Sequence, residues 1–348
     1  MKALDGQVAA AVAMAVDPQQ SIDRKMSTLL ASSRRRLWPV VFAIALLLSA
    51  FIVPQLRLGM ASDVVTYAVA VLGLNLFVGY TGQISLGHGA FIGIGAYTTV
   101  ILSADHHWPL LSTVPAAALV AFAVGVIIGV PSLRIRGLYL ALLTLGLGAA
   151  FGPIVKRLDH LTGGTSGKGS HASVVAPTWF GESRIATARW SYLTIALIAA
   201  IMFALARNLV NGRVGRALAA IRENDLSAVT FGVSVNRYRV AMFGVSAAVA
   251  AVAGSMFMIQ HPYALDSNYS QQLSIVLYTA AFIGGVGTIW GSVVGGAVIV
   301  AVPFAFEKLG FTLDPNLVFG FALVAITLFA PDGVAGSVRA LRLRRRAT

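Results

Sequence analysis

Long apolar runs follow one another from residue 38 almost to the end of the chain, and none of them carries a charged side chain near its middle. Most runs have roughly 17 to 21 residues, about the length that a helix needs to cross the hydrocarbon core of a bilayer. Only 11% of the residues are charged, whereas soluble domains carry about 25%. The sequence therefore predicts an all-α, polytopic membrane protein.

The composition accommodates about eight to ten transmembrane helices, and the individual runs predict about ten. Their approximate limits are 38–54, 63–79, 84–104, 110–130, 138–155, 190–206, 240–260, 271–287, 291–306 and 316–330. The stretch 271–306 is divided into two helices because four glycines between 284 and 291 interrupt it. The runs define a transmembrane domain over residues 37–335, between an N-terminal tail of residues 1–36 and a basic C-terminal tail of residues 336–348.

Basic residues indicate the orientation of the helices, because positive charge in short loops is retained on the cytoplasmic side. Three clusters hold most of the 26 Lys and Arg residues: Arg24, Lys25, Arg34, Arg35 and Arg36; Arg207, Arg213, Arg216, Arg222, Arg237 and Arg239; Arg339, Arg342, Arg344, Arg345 and Arg346. With about ten spans and a cytoplasmic N-terminus, all three clusters and the Arg134/Arg136 loop lie in the cytoplasm. The loop at 152–189, which is also basic, is then placed outside, contrary to the rule that positive charge is retained in the cytoplasm.

Several chemistries are excluded or disfavoured. The net charge of +13 flanks apolar runs, so it does not indicate nucleic-acid binding. The lack of cysteine excludes disulfides and thiolate metal sites. Without a carboxylate or basic group in the middle of a span, ion-coupled transport and membrane-embedded catalysis are disfavoured. We predict no catalytic residue, no metal site and no cofactor bound by this chain, and we interpret the adjacent His106 and His107 as solvated.

The run 162–169 resembles a phosphate-binding loop, but Thr162 replaces the first glycine and Gly169 replaces the Ser or Thr that must meet Mg²⁺. We interpret it as a flexible glycine- and serine-rich loop. Small residues four positions apart indicate tight helix packing. They are Gly89/Gly93, Gly125/Gly129, Ala250/Gly254 and Gly287/Gly291/Gly295.

One polar stretch, residues 79–91, interrupts the apolar pattern with Thr81, Gln83, Ser85 and His88 among glycines. Irregular backbone at membrane depth is tolerated only where protein or a water-filled cavity covers it. The stretch is therefore either a broken helix along a translocation pathway or a tight helix–helix turn on the cytoplasmic side. For His88, either a structural hydrogen bond or contact with substrate fits a polar ring inside a span.

A second stretch is the long cytoplasmic loop 207–239. Residues 216–225 are predicted to form a short helix with Leu218, Ile221 and Arg222 on one side. A partly apolar helix on the membrane surface either rests on lipid or inserts into the groove of a partner.

Five motifs in this order resemble the LivM-type permease subunits of branched-chain amino-acid ABC importers. They are 79–91 (GYTGQISLGHGAF), 133–141 (LRIRGLYLA), 161–165 (LTGGT), 215–225 (GRALAAIREND) and 284–291 (GGVGTIWG). The resemblance covers roughly residues 37–335. It implies a type II importer-like permease in the bacterial cytoplasmic (inner) membrane, with both termini cytoplasmic.

The resemblance also implies partners: a second homologous permease, two cytoplasmic ATP-binding subunits that use ATP and Mg²⁺, an extracytoplasmic substrate-binding protein and the lipid bilayer. It places a helix that couples to the ATPase in the loop 207–239. The residues matched there are Gly215, Arg216, Ala217, Ala220, Arg222, Glu223, Asn224, Ala228 and Gly232. An importer of urea, amides or other amino acids is the alternative within this machinery, and a stand-alone secondary transporter is the alternative outside it.

Overall fold

The computed structural model describes residues 42–132, 138–170, 174, 176–181, 183–310 and 315–329. The chain divides into two compact units, Met1–Leu48 and Ser49–Thr348. Both predicted tails, residues 1–36 and 336–348, lie outside the described residues, as does the Arg134/Arg136 loop.

Each predicted apolar run contains a helix. The helices are α1 (Phe42–Ile52), α2 (Leu58–Thr81), α3 (His88–Asp105), α4 (Leu110–Ser132), α5 (Leu138–Arg157), the short α6 (Asp159–Thr162), α7 (Arg184–Asn211), α8 (Arg213–Glu223), α9 (Asp225–Thr230), α10 (Val235–Gln260), α11 (Gln271–Gly284), α12 (Ile289–Lys308) and α13 (Pro315–Phe329). Short 3-10 turns lie at Gln55–Arg57, Gly164–Ser166, Thr178–Phe180 and Asp266–Tyr269. Two-residue strands β1 (Lys168–Gly169) and β2 (Tyr263–Ala264) form the only sheet in the described part of the chain.

Among the described residues, 6 helices are long and apolar enough to cross a membrane: α2, α4, α5, α7, α10 and α12. The predicted all-α membrane architecture is thus confirmed in outline. Helices α11 and α13 have only 14 and 15 residues, shorter than the roughly 20 that a full span requires. The count of ten spanning helices stays a prediction.

Helix α10 lies at the centre of the bundle, where it packs against α2, α3 and α4. Small residues allow the close approach: a methyl group added at Gly254 would overlap the carbonyl oxygen of Ile92, and one at Gly95 would overlap that of Ala251. Gly125 likewise faces Ala247, with a virtual Cβ 2.8 Å from its methyl carbon. The interpretation of the small-residue pairs as packing faces is confirmed at these contacts.

Several helix limits differ from the sequence prediction; α2 and α10, for example, begin at Leu58 and Val235 rather than at 63 and 240. The third run was expected to be helical from residue 84, but α3 begins at His88, because Gly82 adopts a left-handed conformation (φ 70°) that ends α2. Helix α7 extends beyond both predicted limits, 190 and 206, to Arg184 and Asn211. Long basic side chains can extend to water while the helix backbone continues. The connection to α10 is correspondingly shorter than the predicted 207–239.

The connections that follow α3, α5 and α10 meet at one end of the bundle. Strand β1 pairs antiparallel with β2, and Lys168 donates to Asp105 over 2.6 Å and to the carbonyl of Leu161 over 2.8 Å. The run 162–169, which was expected to be a flexible loop, is not wholly irregular: it contains a 3-10 turn and strand β1, and its Lys168 side chain is hydrogen-bonded. Its flexibility stays a prediction. The described segment 161–169 and the segment after α10 therefore lie on the same side, in line with the predicted alternation of spans.

Candidate functional site

Helices α8 and α9 form a compact unit between α7 and α10. Leu218 and Ile221 are buried on one face of α8, and Ile221 packs with Ala228 and Val235. Gly215 allows α8 to approach the end of α7, because an added Cβ would overlap the carbonyl oxygen of Val210. The helix predicted at 216–225 is confirmed, but it runs from Arg213 to Glu223, because Asn224 leaves the helical conformation and begins the next helix.

Asn224 separates the two helices and caps the second one. Its side-chain oxygen accepts hydrogen bonds from the backbone N–H groups of Leu226 and Ser227, at 2.9 and 3.2 Å. Such N-caps satisfy donors that have no intrahelical partner. Arg239 at the start of α10 forms an ion pair with Asp225, with 2.8 Å to each carboxylate oxygen. Gly232, at φ 78°, supplies the left-handed turn that follows α9.

Arg222 joins α8 to the end of α2. Its Nη1 atom donates a 2.7 Å hydrogen bond to the backbone carbonyl of Gly79. The same Nη1 lies 3.1 Å from where a Cβ on Gly287 would sit. Gly287 belongs to the glycine-rich break between α11 and α12. One guanidinium therefore contacts the irregular ends of elements that are far apart in sequence.

A cavity of about 430 Å³ lies at this junction. It is lined by Thr81, Gly82, Gln83, Ile84, Ile221, Arg222, Glu223, Asn224, Asp225 and Arg239. The structure thus brings two of the predicted pathway residues, Thr81 and Gln83, next to the predicted coupling residues. We call this arrangement the junction site.

Asn75 fixes the break between α11 and α12, and the sequence reading missed it. Its side chain is buried, donates to the carbonyl of Thr288 over 2.8 Å and accepts from the N–H of Gly287 over 2.7 Å. The amide nitrogen also donates to the Ser292 hydroxyl over 3.2 Å. An amide alone in an apolar run is the signal that identifies such a residue, because amides hydrogen-bond across membrane helices.

Ser85 and His88 lie apart from the junction site, in the interior. His88 Nδ1 lies 2.9 Å from the Ser85 hydroxyl and Nε2 lies 2.6 Å from the Ser246 hydroxyl. Phe77, Phe91 and Phe243 surround the ring. Both ring nitrogens are engaged, which favours the structural hydrogen bond of the two roles considered for His88. Its place on a pathway stays a prediction.

The outer face of the α8–α9 unit is polar on α8 and apolar on α9. Arg216 and Glu223 are exposed, and Ala217 and Ala220 are half-buried. Leu226, at 80%, and Phe231, at 85%, are among the most exposed large apolar side chains of the described residues. Within the described ranges, no group of three His, Cys, Asp or Glu side chains is placed to hold a metal ion.

Comparison with known proteins gives a consistent result. The family model described as branched-chain amino acid transport system / permease component matches residues 56–329. The high-affinity branched-chain amino acid transport system permease protein LivM of Escherichia coli (strain K12) is 28% identical over 325 residues, covering 86% of this chain and 75% of that protein. No solved structure matches the chain.

Two further relatives carry similar descriptions. BraD of Pseudomonas aeruginosa is 27% identical over 283 residues, covering 78% of this chain and 92% of that protein. LivH of Escherichia coli (strain K12) is 26% identical over 294 residues, covering 78% of this chain and 91% of that protein. Both are named as high-affinity branched-chain amino acid transport system permease proteins. The resemblance to LivM-type permeases that the motifs indicated is confirmed.

Proposed function

The chain belongs to the family of permease components of branched-chain amino acid transport systems, and we propose that it is the transmembrane permease subunit of an ATP-driven importer of branched-chain amino acids. It forms half of a translocation pathway of the type II importer class and hydrolyses nothing itself. The contact between Arg222 and the Gly79 carbonyl carries this proposal, because it links a surface helix directly to the broken ends of membrane helices.

In this proposal the α8–α9 unit is the coupling element. The exposed apolar side chains Leu226 and Phe231 insert into a groove of the ATP-binding subunit, as amphipathic helices do in partner proteins. Movement of the ATPase then reaches the ends of α2 and α11 through Arg222. Arg222 is bonded to the end of α2, and Asn75 of the same helix is bonded to the Gly287 loop that follows α11. A displacement of α8 therefore changes both ends together.

The pathway itself is proposed to pass Thr81, Gln83 and Ser85, with His88 behind them. Thr81 and Gln83 border the junction cavity, so a movement of α8 changes their surroundings first. Replacing Gln83 by leucine removes the polar group while keeping a similar size. Unchanged uptake by the assembled transporter carrying Gln83→Leu would remove this assignment.

The remaining partners follow from the same proposal. A homologous second permease supplies the other half of the pathway, and the similarity of this chain to both LivM and LivH proteins supports such a pair. Two cytoplasmic subunits bind ATP and Mg²⁺, and an extracytoplasmic protein delivers substrate. About ten spans place both termini and the α8–α9 unit on the cytoplasmic side of the bacterial inner membrane.

The test is purification of the complex from native membranes in mild detergent. We expect two ATP-binding subunits and a second permease to co-purify, with ATPase activity and leucine uptake after reconstitution into liposomes. A chain that purifies alone and still moves solute without ATP would contradict the proposal in favour of a secondary transporter. The matched variants Arg222→Gln and Arg213→Gln, both on α8, then test whether the coupling element acts through the junction site.

A further inference from the structure

A second cavity, of about 620 Å³, lies at the opposite end of α2 from the junction site. Its wall is formed by the first turns of α2 and α11, the last turns of α10 and parts of α12 and α13. Cavities of about 300 to 1,000 Å³ are typical of small-molecule sites. None of the proposed pathway residues Thr81, Gln83 and Ser85 is among the residues that line it.

The N-terminus of α11 opens onto this cavity. Ser270, Gln272 and Leu273 line it, and the N-cap residue Ser270 makes no side-chain capping hydrogen bond. The first N–H groups of a helix have no intrahelical acceptor and carry partial positive charge. An uncapped terminus of a 14-residue helix that faces a cavity is therefore suited to an anionic group.

Tyr269, directly before this terminus, provides an independent indication of a ligand. The residue is only 4% exposed and lines the cavity, yet its hydroxyl makes no hydrogen bond with any described residue. Among the described residues, three side-chain atoms are shielded from solvent and make no hydrogen bond: Arg189 Nε, Arg239 Nε and Gln260 Oε1. The Tyr269 hydroxyl also makes no hydrogen bond, but it is not shielded in this way, because it opens into the cavity. A bound acceptor would therefore give this hydroxyl the hydrogen-bond partner that no described residue supplies.

The rest of the wall has two further properties. Asp63 supplies a carboxylate, of which only one oxygen, Oδ1, lies within hydrogen-bond distance of His261 Nε2, at 3.2 Å. The apolar part is broad and consists of aliphatic and aromatic side chains: Phe257, Met258, Val276, Ile299, Val300, Pro303 and Phe319. The cavity therefore combines hydroxyl and amide groups, the Asp63–His261 pair and an apolar surface.

We propose that this cavity binds a free aliphatic amino acid, with its carboxylate at the N-terminus of α11 and the Tyr269 hydroxyl, its ammonium group toward Asp63 and its side chain on the apolar wall. The inference rests on the proposed function, in which it is the substrate site within this subunit. Urea offers no carboxylate for the helix terminus and no side chain for the apolar wall. The site thus selects an amino acid over the urea or amide alternative.

The experiment measures binding of three ligands to the assembled transporter in nanodiscs, without the extracytoplasmic binding protein. The ligands are L-leucine, 3-methylbutylamine, which lacks the carboxylate, and 4-methylpentanoate, which lacks the ammonium group. We expect Tyr269→Phe to weaken leucine and 4-methylpentanoate binding about ten-fold and to leave the amine unchanged, since a hydrogen bond to a charged group is lost. Asp63→Asn should weaken leucine and the amine and leave 4-methylpentanoate unchanged. Tyr192→Phe is the matched control, because the Tyr192 hydroxyl contacts Ser49 and not this cavity. This variant should bind all three ligands normally.

Three outcomes overturn the inference. They are a wild-type complex that imports leucine but binds none in this assay, equal leucine affinity in wild type and both variants, and the same loss of affinity for all three ligands. In each of these cases the proposed function still stands, because uptake and the partner subunits are unaffected. A wild-type complex without ATPase partners and without leucine uptake would instead contradict the proposed function. If Tyr269→Phe does not assemble, Asp63→Asn decides alone.

Discussion

The Arg222 guanidinium donates to the backbone carbonyl of Gly79 from 143 positions away in the sequence. Gly79 lies in the last turn of α2, where carbonyl groups have no intrahelical donor, and a charged donor is the strongest partner that such a group can obtain. The contact therefore makes the end of a membrane helix depend on the position of a surface helix.

Replacing Arg222 by glutamine should uncouple ATP hydrolysis from transport. The shorter neutral side chain leaves the Gly79 carbonyl without its donor, so movement of α8 no longer reaches α2. We expect leucine uptake by the reconstituted complex to fall about ten-fold, as loss of a charged hydrogen bond of about 1.5–3 kcal/mol implies, while ATPase activity persists. Arg213→Gln, an exposed change on the same helix, should transport normally. Equal uptake by the two variants would contradict the role of Arg222.

Replacing Asn75 by leucine should loosen the break between α11 and α12. The change leaves the Gly287 N–H and the Thr288 carbonyl without the partners they now have. Both groups are half-buried, so each loss costs at most about 1–3 kcal/mol. We expect a clearly lower melting temperature in detergent, measured by tryptophan fluorescence. Ser292→Ala removes only the 3.2 Å contact and should have a much smaller effect. Similar melting temperatures for both variants would show that Asn75 does not brace the break.

These residues also show which features of the fold and of the junction site could be predicted from the sequence. Apolar runs and glycine breaks are local signals, so the helices and the interruption after Gly284 were predicted correctly. The amphipathic pattern of 216–225 likewise located α8. By contrast, the pairing of Asn75 with Gly287 joins positions 212 residues apart, and no periodicity encodes it. The C-terminal limit of α7 was misjudged because Arg207 was taken as the end of the span, although a helix can continue past a basic side chain.

Two glycine-to-alanine changes, one in the close contact of α3 with α10 and one at an open position of α5, should differ in their effect on stability. In Gly95→Ala the new methyl group overlaps the carbonyl oxygen of Ala251, and overpacking of this kind costs about 1–3 kcal/mol. Gly146, in α5, has no atom within 4 Å of an added Cβ. Gly146→Ala should therefore be neutral or stabilising by up to about 1 kcal/mol through helix propensity. The two melting temperatures in the same detergent give the test, and a Gly95→Ala protein as stable as wild type would contradict the packing.

The ion pair between Arg239 and Asp225 should protect the α8–α9 unit from proteolysis. Arg239→Met keeps the aliphatic stem but removes the charge that holds the start of α9. Because the pair is partly shielded from solvent, we expect a loss of about 1 kcal/mol, which corresponds to roughly five-fold faster tryptic cleavage within 212–234 if cleavage follows local opening. Arg237→Met removes a neighbouring trypsin site at an exposed position and is the matched control. Equal cleavage rates would mean that the ion pair does not stabilise this unit.

The contact between His261 and Asp63 predicts a pH dependence at the mouth of the larger cavity. The hydrogen bond with Asp63 raises the pKa of His261 above its ordinary value of 6.5. A raised pKa means that the folded protein binds the proton more tightly, so the stabilisation is fully present below about pH 6.5 and is lost as the pH rises through the folded pKa. His261→Gln should accordingly lower the melting temperature at about pH 5.5 and have little effect at about pH 8.5. The effect is small because the imidazole is largely exposed and solvent screens the pair. His160→Gln, which alters an exposed histidine at the same end of the bundle, serves as the control. If the loss of melting temperature in His261→Gln grew with pH, the predicted direction of the pH dependence would be wrong.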